Sequence, residues 1–235
     1  MQVLTFASQK GGSGKTTLAG NVAVQAERAG AGPVAVIDTD PQGSLAEWWN
    51  ARAADTPYFV QTSVARLPHD LGELAALGVS FVVIDTPPAI TATIEGVVAV
   101  SNVVAIPTRP SPHDLRAAGA TVEVVERAGR SLVFVVNGAT PRARITSEAA
   151  IALSQHGTVA PVTMHQRTDF AASMIDGRTV MELNPESRSS QEVERLWTYL
   201  ESRLARGRRL TRPSPVSLSD TGLEAMPAAA GMGGR

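Results

Sequence analysis

The chain of 235 residues predicts an α/β fold, a doubly wound and mostly parallel sheet flanked by helices. Three observations predict it. Short apolar runs alternate with stretches of helical periodicity along most of the chain. Two of those runs, 34–37 and 79–84, end in an acid, Asp38 and Asp85, as strands do when they deliver a carboxylate to the C-terminal edge of a sheet. The first run, Val3-Leu4-Thr5-Phe6-Ala7, leads into a glycine-rich turn that opens an Ala-rich helix.

The elements follow in order. Residues 2–8 form the first strand, and the helix at 15–29 sets Leu18, Val22 and Ala26 on one face before Gly30 and Gly32 end it. The second strand, 34–37, runs into Asp38-Thr39-Asp40-Pro41-Gln42-Gly43-Ser44, where Ser44 is expected to cap a helix carrying Leu45, Trp48 and Trp49. The tryptophan pair reads as packing rather than as a ligand-stacking platform. An edge strand at 58–62 and a helix at 70–77 precede the central strand 79–84 and the loop Asp85-Thr86-Pro87-Pro88. A helix including 97–100, a strand at 102–107, the turn Thr108-Arg109-Pro110-Ser111-Pro112, a helix at 113–128 and a strand at 132–136 come next. Thr146 or Ser147 begins a further helix, 158–164 is expected as the last strand, and 170–175 is short and helical.

A final amphipathic helix, 187–206, repeats Val193, Leu196, Trp197, Leu200 and Leu204 at helical spacing, with Gly207 as its expected stop. The expected organisation is therefore one domain at 1–206 and a tail at 207–235. The tail is rich in Pro, Ser, Ala and Gly without periodicity, a composition that predicts disorder.

Composition removes several function classes. With no cysteine, the chain has no disulfide scaffold, thiolate zinc site or cysteine-ligated iron–sulfur cluster. The four histidines, His69, His113, His156 and His165, are scattered rather than set at metal-ligand spacing. No run approaches 18 apolar residues, and the first strand occupies the place of a signal peptide, so a cytoplasmic setting is expected. The glycine-rich turn begins at residue 9, so no helix-turn-helix domain is expected before it. Net charge is −1, so any attraction for nucleic acid must come from a local patch.

The turn Gln9-Lys10-Gly11-Gly12-Ser13-Gly14-Lys15-Thr16-Thr17 has the chemistry of a phosphate loop. A glycine-rich turn between a strand and a helix points backbone N–H groups into one concavity, and the positive end of the helix dipole adds to the attraction for phosphate. Gly11, Gly12 and Gly14 allow close backbone approach, Lys15 reaches the β- and γ-phosphates, and the Thr16 hydroxyl ligates Mg²⁺. Ser13 and Thr17 complete the cradle. Of the 21 basic residues only Lys10 and Lys15 are lysine, so these two places ask for a compact point charge rather than a planar fork.

The strict form of such a loop has glycine at the position of Gln9, and the chain instead reads Lys-Gly-Gly-Ser-Gly-Lys-Thr. This resembles the deviant Walker A motif of the ParA/MinD group of P-loop ATPases, over roughly residues 1–205. The resemblance implies ATP and Mg²⁺ as ligands, ATP hydrolysis, and Lys10 reaching across a homodimer to the partner's nucleotide. Asp85 stands where a Walker B carboxylate belongs. Asp38 and Asp40 flank one residue, and Pro41 bends the chain so that one acid faces the Mg²⁺ sphere and the other the γ-phosphate. The pair looks like the Walker A′ motif of the group, which makes Asp40 the hydrolytic acid and Asp38 a support for metal and loop. The expected catalytic set is thus Lys10, Lys15 and Asp40, with Thr16, Asp38 and Asp85 at the metal.

Asn137 and the loop with Gln166 and Arg167 fall where the group holds adenine, although a turn cap also accounts for Asn137. The resemblance is to short ParA-type positioning ATPases, which bind nucleoid DNA nonspecifically as ATP-bound dimers. A cargo-associated, ParB-like activator then triggers hydrolysis and release, positioning or segregating a plasmid, chromosome or protein cluster. From 187 to 212, Arg188, Arg195, Arg203, Arg206, Arg208, Arg209 and Arg212 outweigh Glu192, Glu194 and Glu201, and Arg142, Arg144, Arg167 and Arg178 stand to extend the patch. Two alternatives stay open: a MinD-like membrane-associated ATPase, disfavoured by a tail without an apolar face, and an ATP-dependent biosynthetic or maturation enzyme of the same fold.

Overall fold

A computed structural model describes residues 1–88 and 92–211. Six parallel strands form one sheet: β1 (Gln2–Phe6), β2 (Val34–Asp38), β3 (Tyr58–Phe59), β4 (Phe81–Asp85), β5 (Val103–Thr108) and β6 (Ser131–Val136), in the order β3-β2-β4-β1-β5-β6. The four central strands are buried on both faces. That is why they read as continuous apolar runs rather than as alternating ones.

Between the strands run α1 (Lys15–Arg28), α2 (Ser44–Asn50), α3 (Leu67–Ala76), α4 (Ala92–Val100) and α5 (Pro112–Arg127). After β6 come α6 (Arg144–Ser154), α7 (Thr168–Met174), α8 (Val180–Leu183) and α9 (Arg188–Thr211). Alternate residues of each strand feed two layers. Leu4, Phe6, Val36, Val83 and Ala105 pack against α1, α2, α8 and α9, while Ile37, Ile84, Val104, Ile106 and Val136 pack against α3 to α6. In α9, Val193, Leu196, Trp197, Leu200 and Leu204 are all buried, and the Trp197 ring meets Phe81 edge-on at 5.1 Å.

Three expectations are corrected. Residues 158–164 form no seventh strand: Val159 bridges Phe134 of β6, but the chain bends at 161–162, so that after the Ala160 N–H donates to Phe134 O it is the Met164 N–H, not that of Val162, that reaches Val136 O, and the next bridge, Ala139 to His165, lies past the segment. Ser44 is not the cap of α2. Gly43, at φ 68°, takes that position, and the Asp38 carboxylate accepts the Leu45 and Ala46 N–H groups at 3.0 and 3.1 Å. Gly207 does not end the last helix, which runs to Thr211, so the 206/207 boundary falls inside α9. Glycine ends a helix where the chain turns left-handed, as at Gly30 (φ 80°), and Gly207 stays helical. The remainder of the expected tail, 212–235, including Arg212, lies outside the described residues.

Candidate functional site

At the C-terminal edge of the sheet the loops after β1, β2, β4, β5 and β6 surround a cavity of about 740 Å³. Gly11, Gly12, Gly14, Lys15, Thr16 and Thr17 line one end of it. Gly12 and Gly14 are left-handed, at φ 69° and 94°, and a Cβ on Gly14 would come within 2.2 Å of Asn137 Nδ2, so this turn demands glycine. Ser13 is buried, and its hydroxyl has no partner among the described residues.

Lys15 opens α1 with only 7% of its surface exposed, and its ammonium makes no hydrogen bond among the described residues. Burial pulls its pKa below the ordinary lysine value, opposed by the charges of Asp85 and Asp40. Beneath it, Thr16 Oγ1 donates to Asp85 Oδ2 at 2.5 Å, and Thr86 N donates to Oδ1 at 3.0 Å. Asp85 is 1% exposed. Burial raises its pKa to about 7; the nearby Asp38 charge adds to the rise, and Thr16, Lys15 and the Thr86 N–H oppose it. The sheet register itself juxtaposes the two acids, since Asp38 and Asp85 are partners across β2 and β4.

The two acids after β2 are held differently. Asp38 spends both oxygens on backbone: Oδ1 accepts the Asp40 N–H at 2.9 Å and Oδ2 the first turn of α2. Asp40 lines the cavity, with Oδ1 accepting the Gln42 N–H at 3.0 Å and its other oxygen unpartnered among the described residues. Lys10, the second loop lysine, is exposed, and it does not line the cavity.

The opposite end is assembled from distant parts. Asn137 lines the cavity and donates from Nδ2 to Ser13 O at 2.6 Å, tying the end of β6 to the phosphate loop. Gln166 and Arg167 also line it, and their loop is anchored to α9. Glu192 accepts from Arg167 Nη2 at 2.6 Å and from the His165 N–H at 3.0 Å, and pairs with His165 Nδ1 at 2.8 Å. Burial works against the Glu192 charge, but these donors outweigh it and hold the carboxyl below its ordinary value.

Several lining residues escaped the sequence reading. Arg109, Glu47, Trp48, Met174 and Ile175 all border the cavity. Trp48 does pack, with Nε1 donating to Arg178 O at 3.0 Å and Arg52 lying 5.0 Å over its ring, yet it also walls the site. For Arg109 a signal existed: its turn follows a strand, and only the order β1-β5-β6 shows which loops it lies between.

A buried ammonium without an acceptor among the described residues, an orphaned serine hydroxyl and a left-handed glycine turn at a helix start together fit a phosphate chain. Thr16 and Asp85, already joined, are the oxygens that fit a hard divalent cation.

Comparison with known proteins agrees. The family profile described as CobQ/CobB/MinD/ParA nucleotide binding domain matches residues 4–180. The chain is 30% identical over 198 residues to "Maintenance of carboxysome distribution protein A" of Halothiobacillus neapolitanus, covering 80% of this chain and 91% of that one. In fold it resembles apo McdA of Cyanothece (TM-score 0.71, 16% identity, covering 87% of this chain and 99% of that one). It equally resembles the septum site-determining protein MinD of Pyrococcus horikoshii in complex with Mg-ADP (TM-score 0.71, 16% identity, covering 85% and 96%). By its phosphate loop, its parallel sheet and these matches, the chain belongs to the CobQ/CobB/MinD/ParA nucleotide-binding domain family.

Proposed function

We propose that this chain is a ParA-type positioning ATPase: it binds ATP with Mg²⁺, dimerises in that state, binds nucleoid DNA without sequence preference, and lets go when a cargo-bound activator stimulates hydrolysis. The observation that carries the reading is the contrast between its two lysines. Lys15 is buried against the phosphate cradle, whereas Lys10, five residues earlier, stands exposed on the same loop, free to meet a second copy.

The chain's own groups divide the work. Lys15 and the loop N–H groups bind the phosphates, and Asn137, Gln166 and Arg167 border the space left for the base. Thr16 and Asp85 would hold Mg²⁺, which when bound neutralises charge on the phosphate oxygens. Asp38 fixes the geometry of the loop that presents Asp40, and the unpartnered Asp40 oxygen orients the attacking water. Positioning and charge neutralisation are most of what phosphoryl transfer asks of a protein.

For DNA the available surface is narrower than the sequence implied. Arg167 is committed to Glu192, and Arg144 and Arg178 are in exposed pairs with Glu148 and Asp176, which leaves Arg142, exposed and without an ion pair among the described residues, and the arginines of α9 as the core of the patch. Arg188, Arg195 and Arg206 are exposed on that helix. The test uses Asp40→Ala protein, expected to bind ATP without turning it over, with two unrelated DNA duplexes across a salt series. If the dimer neutralises about 4 phosphates, binding should weaken on the order of 100-fold for a fourfold rise in salt, equally for both duplexes. Sequence preference, no salt dependence, or equal binding without ATP would contradict the reading, and ATP-dependent flotation with liposomes would favour a membrane role instead.

A further inference from the structure

Arg109 follows β5, the strand between β1 with its phosphate loop and β6 with Asn137. The sheet order therefore sets it at the seam between the two ends of the cavity, whose wall it forms. Its path can be traced from the glycines it passes. A Cβ on Gly138 would sit 3.6 Å from Arg109 Cγ and Nε, and one on Gly12 would sit 3.7 Å from Arg109 Nη2. The stem thus runs along the base end while the guanidinium reaches the open side of the phosphate loop.

The guanidinium has no hydrogen-bond or ion-pair partner among the described residues. The other cationic side chains that line the cavity differ in this respect or in place. His165 Nδ1 and Arg167 Nη2 are paired with Glu192, the Arg167 Nε that stays without a partner is buried, and Lys15 is buried at the start of α1. Arg109 is the cation of the wall that is both uncommitted and on the outer side. A planar fork with several donors matches phosphate oxygens two at a time, which an ammonium does not.

We propose that Arg109 is a nucleotide-contacting residue that grips the phosphate chain of a nucleoside di- or triphosphate from the open side of the loop, opposite Lys15. The inference rests on the reading of this cavity as a nucleotide site. Its competitors are a solvated surface arginine and a guanidinium that stacks on the base, and each forecasts a different pattern of losses.

The experiment displaces a fluorescent ADP analogue from the full chain with ADP, ATP or adenosine, in Mg²⁺, for wild type, Arg109→Ala, Arg109→Lys and Lys15→Ala. Loss of one charge-assisted contact should weaken ADP and ATP by about tenfold in Arg109→Ala. Arg109→Lys should recover part of that, adenosine should compete as it does against wild type, and the melting temperature without nucleotide should not move. ADP and ATP affinities within about twofold of wild type would overturn the inference, as would an equal loss for adenosine, which marks stacking. If Arg109→Ala fails to fold, Arg109→Gln, which keeps length without charge, is judged by the same criteria. Undiminished ADP binding by Lys15→Ala would instead bring down the nucleotide-site reading itself, so the two failures are separable.

Discussion

The two ends of the cavity are made in different ways. The phosphate end comes from nine consecutive residues, 9–17, whose glycines and helix start aim backbone donors at one point. The opposite end, called the base end after the place proposed for the base, is stitched together by side chains far apart in sequence: Asn137 reaches back 124 residues to Ser13, and Arg167 reaches forward 25 residues to Glu192. Contacts of the first kind are written in the chain as a motif. Those of the second exist only once the fold is formed, so the first end should be locally robust and the second dependent on the docking of α9.

The largest effect should come from the phosphate end. Lys15→Ala removes the cation buried against the cradle, and ATP affinity should fall by about 100-fold or more, measured by calorimetry, with the melting temperature of the free protein nearly unchanged. Affinity close to wild type would break the contrast between the ends.

A second test uses the charge stored under that end. Because burial raises the Asp85 pKa to about 7, the folded state keeps a proton that the unfolded chain releases near 3.8. Stability from this group is therefore present at low pH, declines as pH rises from about 4 through about 7, and stays low above. Asp85→Asn should melt a few degrees above wild type at pH 8 without nucleotide, with the gap closing near pH 4, while its affinity for ATP loses any dependence on Mg²⁺. Equal melting at pH 8 would mean that the carboxylate carries no such cost.

The smallest effect belongs to the base end. Glu192→Gln removes the charge that holds Arg167 and His165, so ATP should bind about three- to tenfold more weakly and the fold should lose about 1–3 kcal/mol. The Glu192 carboxyl is held below its ordinary 4.5, so its contribution is complete above that value and is lost as pH falls through the depressed one. The difference in melting temperature between wild type and variant should therefore shrink in acid. A variant with unaltered affinity would show that α9 does not organise this end.

What was legible in the sequence follows the same division. The apolar stripe of α9 and the acids at the ends of β2 and β4 stand where spacing and strand ends put them. The helix cap was misread because Ser44 is the local candidate, whereas the acceptor is Asp38, brought over by the turn at Gly43. The segment 158–164 has strand-like composition, but the chain bends at 161–162 and shifts the next donor to β6 from Val162 to Met164, which breaks the ladder. Glu192 read as one more acid of an exposed helix face, and only the fold shows it buried beneath the loop at His165 and Arg167. Arg109 carried only the signal that its turn follows a strand, and its place at the site depends on the neighbours of β5 rather than on that turn alone.

The contrast between the buried and the exposed lysine is tested most directly by molar mass. Light scattering on Asp40→Ala protein with ATP and Mg²⁺ should give twice the 24.6 kDa of the chain, and without nucleotide a single copy. In the Lys10→Ala, Asp40→Ala double variant ATP should still bind, with affinity within a few-fold, while the mass stays that of one copy. A dimer that persists without Lys10, or a Lys10→Ala protein that loses ATP as Lys15→Ala does, would contradict the assignment of one lysine to the chain's own nucleotide and the other to a second copy.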